Sequence, residues 1–206
     1  MDIAAILQWL EANKDERGIK IWARLKDQEH QQGYFGLGLT KLKKFSSQVG
    51  KNHELALELW EQPYLDTKLM ATFVEEPKKV TEAQMNSQVQ TIFNWILADK
   101  YCENVVAKTG LSAKLFDGWR DSNQEMVKRC AYTLAGMLAM KNQELPEAWF
   151  EERLKECANL QNEANFVKDA MNMALMRIGS RTPGLHKQAL DIALSVGEVV
   201  VDYGDN

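Results

Sequence analysis

Apolar residues in this chain recur at intervals of three and four almost from end to end, and only 4 prolines interrupt its 206 residues. That period belongs to helices buried along one stripe, and it points to helix rather than strand. Leu, Ala, Lys, Glu, Gln and Met, which lose little by becoming helical, fill the same segments. Ile3, Ile6, Leu7 and Leu10 form the first stripe. A second helix carries Ile19, Trp22 and Ala23, with Leu25 a candidate next member. Gly33, Gly36 and Gly38 then favour a turn. After it Thr40 can cap a helix in which Leu42, Phe45 and Val49 face inward, while Lys41, Lys43 and Lys44 lie mostly outside that stripe. Further helices are expected over His53–Glu61, Asp66–Phe73, Glu82–Trp95, about Asp99–Lys108, Ser112–Asp117, Gln124–Met140, Pro146–Leu160, Asn165–Ile178 and Leu185–Val200. The loops between them are short, so successive helices become antiparallel neighbours.

This length suits one compact domain with a real core, and residues 1–206 are read as a single helical domain. A composition of 45% hydrophobic and 26% charged residues excludes disordered and low-complexity classes. The longest nearly apolar stretch, Ala131 to Met140, falls far short of a membrane span. Asp2, Gln8 and Glu11 leave the start of the chain unlike a secretory signal, so a cytoplasmic protein without membrane association is expected. Cys102, Cys130 and Cys157 are widely spaced and read as reduced core thiols. His30, His53 and His186 are scattered, which gives no support to a metal site or a Ser-His-Asp device. The net charge of −4 argues against coating nucleic acid by bulk attraction, but leaves room for a local basic face.

An internal echo adds shape. Within Met126-Val127-Lys128-Arg129-Cys130-Ala131 and Asn165-Phe166-Val167-Lys168-Asp169-Ala170, Val127-Lys128 and Val167-Lys168 align at a spacing of 40, and each stretch opens a long apolar helix. That period suits two-helix repeats of the HEAT type. The expected architecture is an all-α HEAT-like solenoid, an α-α superhelix whose inner helices line a concave surface. The segment from Glu144 to Glu163 carries six glutamates against Arg153 and Lys155, and reads as an outward, solvated helix. If alternate helices share one wall, Lys128, Arg129, Lys168, Arg177 and Arg181 gather there with Lys41, Lys44, Lys68 and Lys100 into a basic concave face. Each of these cations, taken alone, is equally a solvated side chain near a helix end.

Four stretches together resemble the AlkD-type DNA alkylation repair enzymes, which are alkylpurine DNA glycosylases built from HEAT-like repeats. They are Tyr34-Phe35-Gly36-Leu37-Gly38-Leu39-Thr40-Lys41-Leu42-Lys43-Lys44; His53-Glu54-Leu55-Ala56-Leu57-Glu58-Leu59-Trp60 with Lys68-Leu69-Met70-Ala71; Trp95 and Asp99 followed by Cys102; and the paired starts Val127-Lys128-Arg129 and Phe166-Val167-Lys168. The resemblance runs from about Tyr34 to Leu194. It implies a monomer acting on duplex DNA that contains N3- or N7-alkylated purines, with no metal or organic cofactor. It also implies catalytic roles for Asp99, Trp95 and Arg129, and DNA contacts from Lys41, Lys44, Lys68, Lys128, Lys168 and Arg177. Two departures stand out. In the last inner helix Met173 occupies a position where the family often has Trp and Met176 one where it is basic, with Arg177 adjacent; and the chain is acidic overall, where many such glycosylases are basic.

The chemistry that the resemblance implies for Trp95 and Asp99 is compatible with their spacing. Four residues apart, they lie about one helical turn from each other on one face. An N-alkylated purine is already cationic, and as it departs the sugar gains oxocarbenium character. A fixed carboxylate steadies that cation and holds the attacking water, worth roughly 3–4 kcal/mol. The indole of Trp95 adds a cation–π contact. Spacing alone also accommodates a core Trp and a capping or surface Asp; Arg129, which the resemblance places on the DNA backbone, is equally a partner for Asp99 or Glu125, and the two roles can coexist. A catalytically silent scaffold, binding DNA or protein through the concave face, is the alternative function.

Overall fold

The helices begin where a side chain can satisfy their first free amides. In the computed structural model, which describes residues 1–23, 33–141 and 144–204, Asp2 accepts from the Ala5 amide to open α1 (Ile3–Ala12) and Asp15 from that of Arg17 to open α2 (Glu16–Trp22). Then follow α3 (Leu39–Val49), α4 (His53–Trp60), α5 (Leu65–Val74), α6 (Glu82–Val89), α7 (Trp95–Asn104), α8 (Ser112–Trp119), α9 (Glu125–Lys141), α10 (Glu147–Cys157), α11 (Asn165–Gly179) and α12 (Pro183–Val196). Single 3-10 turns stand at Val106–Lys108 and Leu160–Asn162. Among the described residues the only β pairing is an isolated bridge between Gly33 and Tyr64. The protein is all-α, as the periodicity predicts. The chain divides into two compact units, Met1–Thr81 with the chain end from Tyr203, and Glu82–Asp202. Leu25 and His30 lie outside the described residues.

Several expected boundaries move, each for a local reason. Thr40 is inside α3, and the cap is Gly38, whose backbone is extended (φ −66°, ψ 148°). The expected helix Glu82–Trp95 stops at Val89, and Trp95 instead opens α7, ahead of the expected start at Asp99. Asn94 turns extended and accepts from the Ile96 and Leu97 amides, which fixes the start of α7 at Trp95. The last helix stops at Val196 rather than Val200 because Gly197 takes φ +72°.

In Met1–Thr81, α5 packs on α3 and α4. The three-glycine segment is tied to α5 by Asp66, whose two carboxylate oxygens accept from the Phe35 and Leu37 amides, both at 2.9 Å. Gly36 has φ +78°, and a Cβ on Gly18 would lie 1.9 Å from the Gly36 carbonyl oxygen, so glycine is required where α2 crosses this loop. Asp66 is buried, and that burial pushes its carboxyl above the usual range although the surrounding amides pull it down. The folded state therefore binds this proton more tightly than the unfolded chain does. Stability contributed at Asp66 is present at low pH and falls as pH rises from the unfolded value near 3.8 through the folded one. Urea midpoints measured from pH 4 to 7 should show this decline, and Asp66→Asn, which has no such proton, should lack that part of the slope.

In Glu82–Asp202 the helices form two rows. α7, α9 and α11 lie side by side, with α9 in the middle. Behind them α8 packs on α9, while α10 packs on α11 and α12. Contacts between α9 and α11 keep a nearly constant offset: Arg129 meets Asp169, Gly136 lies against Ala174 and Arg177, and Arg181 donates to the Ala139 carbonyl. The two helices are thus parallel, one repeat apart, as the 40-residue echo predicts. The acidic helix α10 is less solvated than expected. Arg153 is buried, its guanidinium 4.9 Å from both the Phe116 and Trp149 ring centres, and Glu156 accepts from Arg120, Arg153 and Tyr132. These bonds join α8, α9 and α10 through one carboxylate.

Candidate functional site

The three residues with expected catalytic roles meet in Glu82–Asp202, on the row α7–α9–α11. Trp95 is the first residue of α7 and Asp99 stands one turn later. Arg129, in the first turns of α9, reaches across to α7 and to α11. Its Nε donates to Asp99 Oδ1 at 3.1 Å and its Nη2 to Asp99 Oδ2 at 3.0 Å, a fork-to-fork pair. Its Nη1 donates to the Phe166 carbonyl at 2.7 Å and to Asp169 Oδ2 at 2.9 Å. The guanidinium carbon lies 5.7 Å from the Trp95 ring centre and 5.9 Å from that of Phe166, within cation–π reach of both. The two rings face each other at 6.4 Å with 22° between their planes. Thr133, one turn along α9, donates to Asp99 Oδ1 at 3.4 Å.

Exposure orders these charges. Arg129 is 3% exposed, Asp169 13% and Asp99 33%, so Asp99 is the carboxylate that faces solvent. Burial alone would pull the Arg129 guanidinium down, but Asp99 and Asp169 outweigh it and raise it. It stays charged at every accessible pH. The expected contact between Arg129 and phosphate is corrected here: the side chain is enclosed, and four of its five N–H donors serve two carboxylates and a carbonyl. Two carboxylates against one guanidinium leave the cluster with a net negative charge, displayed at Asp99.

The expected DNA-contacting lysines and arginine are differently placed. Lys41 and Lys44 are exposed on α3, and Lys41 lies 5.9 Å from the Trp9 ring centre. Lys68 is a correction: it is buried, donates to the Trp60 carbonyl and sits against the Trp60 ring, so it is not offered to a phosphate. Removal from water pushes its ammonium down, with Glu61 opposing. In Glu82–Asp202, Lys128 is held by both oxygens of Glu163 at 2.6 and 2.7 Å, and Lys100 by Glu103 at 2.6 Å. Lys168 is half-buried. Arg177 is half-buried too and lies over Gly136, where an added Cβ would approach its Cδ to 3.0 Å.

Phe166 and Asp169 complete the cluster, although spacing arguments did not single them out. The available signal was the repeat itself, because Phe166 and Asp169 stand in α11 much as Trp95 and Asp99 stand in α7, an aromatic residue at the helix start and a carboxylate one turn on. Phe166 is buried against Trp95 and Arg129, whereas Met173 is 37% exposed. Glu125 accepts from the Phe166 amide at 2.6 Å and fixes the start of α11. Cys102, Cys130 and Cys157 are free and buried, as expected. Burial drives the Cys102 thiol well up and the Cys157 thiol to about 12, so neither is a nucleophile at neutral pH. Among the described residues no three His, Cys, Asp or Glu side chains gather as a metal site, and no helix is long and apolar enough to cross a membrane.

The family model described as DNA alkylation repair enzyme matches residues 6–196. The chain belongs to that family. Its relatives include an uncharacterized protein of Listeria innocua, 29% identical over 174 residues, covering 82% of this chain and 75% of the relative. A second, from Listeria monocytogenes, is 27% identical over 175 residues, covering 83% and 76%. A solved structure from a new family of proteins related to the HEAT-like repeat DNA glycosylases, with affinity for branched DNA structures, superposes with a TM-score of 0.87. It is 23% identical, and the match covers 98% of this chain and 86% of that one. The fold of this family member is therefore HEAT-like.

Proposed function

We propose that this protein excises N3- and N7-alkylated purines from duplex DNA by hydrolysing the N-glycosidic bond. The observation that carries the reading is the Asp99 carboxylate, one-third exposed, locked by a two-pronged bond to Arg129 and belonging to a cluster with excess negative charge. As a cationic purine leaves, positive charge moves onto the sugar. A preoriented carboxylate stabilises that charge without reorganising, and water then adds to the sugar carbon. Trp95, half-buried beside Asp99, offers its ring to the same cation. Arg129 holds the carboxylate in place.

A second reading is favoured by Met173 and by the enclosure of Arg129: a binder of branched DNA that performs no excision, like the structural relative in its affinity. One experiment separates the two. Duplex DNA treated with a methylating agent is incubated with wild type and with Asp99→Asn, and released 7-methylguanine and 3-methyladenine are measured. Release that depends on Asp99 supports excision. Binding of a four-way junction without release supports the silent binder and overturns the first reading.

A further inference from the structure

We infer that Asp169 is a positioning residue that sets the electrostatic strength of Asp99 through Arg129; this rests on the proposed role of Asp99. A carboxylate paired one-to-one with a guanidinium is nearly neutral at a distance, and would do little for a cation forming beside it. Here the guanidinium is divided. Its Nε and Nη2 serve Asp99, while its Nη1 serves Asp169, which approaches from α11 and is the more buried of the two carboxylates. Asp169 thus offsets Arg129 from the enclosed side, and Asp99 keeps an uncompensated charge on the open side. The Phe166 carbonyl shares Nη1 at 2.7 Å, so the guanidinium is anchored in α11 even where the Asp169 charge is removed. The neighbouring charges do not substitute for it: Lys128 is neutralised by Glu163, and Glu125 caps α11 at the Phe166 amide. Lys168, next in the chain to Asp169, adds positive charge that only strengthens the need for a second carboxylate.

The test uses two synthetic duplexes that differ in one abasic nucleotide, a cationic pyrrolidine or a neutral tetrahydrofuran. The ratio of their affinities reads the field at the sugar and is insensitive to general DNA binding. Wild type should prefer the cationic duplex, and Asp169→Asn should reduce that preference about tenfold, the effect of one charge roughly 10 Å away, while affinity for the neutral duplex changes less than about twofold. Asp169→Ser, a smaller neutral side chain, should behave alike if Asn disturbs the Nη1 donor. Asp169→Glu, which restores the charge, should recover most of the preference. A preference unchanged in folded Asp169→Asn and Asp169→Ser, but lost in Asp99→Asn, overturns the role of Asp169 and leaves that of Asp99 standing. A preference absent from wild type, or retained in Asp99→Asn, overturns the role of Asp99 and with it this inference.

Discussion

Replacing Asp99 by Asn should lower the rate of 7-methylguanine release by about 10²–10³-fold, the loss typical when one preorganised electrostatic group is removed. The substitution keeps the size of the side chain and one oxygen acceptor for Arg129, so it removes charge with little change of shape. Asp99 is one-third exposed and Arg129 retains Asp169 and the Phe166 carbonyl, so the variant should stay folded. Single-turnover release from methylated duplex, with melting temperature as a control, checks the prediction. A slower rate with unchanged melting locates the effect in the transition state. Undiminished release from a folded Asp99→Asn protein would falsify the assignment of Asp99.

The second large effect is on stability. Arg129→Ala should cost about 3–5 kcal/mol, the range measured when one partner of a buried ion pair is removed. The loss is steep because four acceptor atoms depend on this side chain: both oxygens of Asp99, one of Asp169 and the Phe166 carbonyl. Its departure also leaves two carboxylates facing each other without a cation. Arg129→Lys should recover less than half, since an ammonium cannot form a two-pronged bond to Asp99 while reaching α11. Urea unfolding midpoints of the three proteins measure this directly. Wild-type stability in Arg129→Ala would show that the cluster does not hold α7, α9 and α11 together. Because folding and chemistry share this residue, a drop in excision by Arg129→Ala alone says little about phosphate contact.

Much of the fold was legible because helix formation is a local matter. Spacings of three and four marked nearly every helix, and the repeat of Met126–Ala131 at Asn165–Ala170 marked α9 and α11 as equivalent. Failures came where a short-range competitor overrode the pattern. The apolar spacing ran on past Val89, where α6 ends, to Trp95, where the Asn94 cap starts α7, and Gly197 ended α12 early. Arg153 misled for another reason. Its charge and acidic neighbours spelled a solvated helix, yet its flat guanidinium packs between Phe116 and Trp149. Nothing in a one-dimensional pattern separates an arginine that stacks from one that is hydrated.

The site divides in the same way. Trp95, Asp99 and Arg129 were identifiable as candidates from spacing and family resemblance, because those are properties of single helices and of ordered motifs. Which atoms of Arg129 are used, and on what, was settled by the side-by-side packing of α7, α9 and α11. That packing brings residues 30 and 40 positions from Arg129 to its two ends. The sequence alone determined an all-helical, repeating chain with a carboxylate one turn after a tryptophan. Only the tertiary structure decided that the arginine is enclosed rather than offered to DNA, that Lys68 is withdrawn from solvent, and that Asp169 joins the cluster. Burial and the sharing of hydrogen bonds are relations between distant segments, and they exist only once the helices have packed.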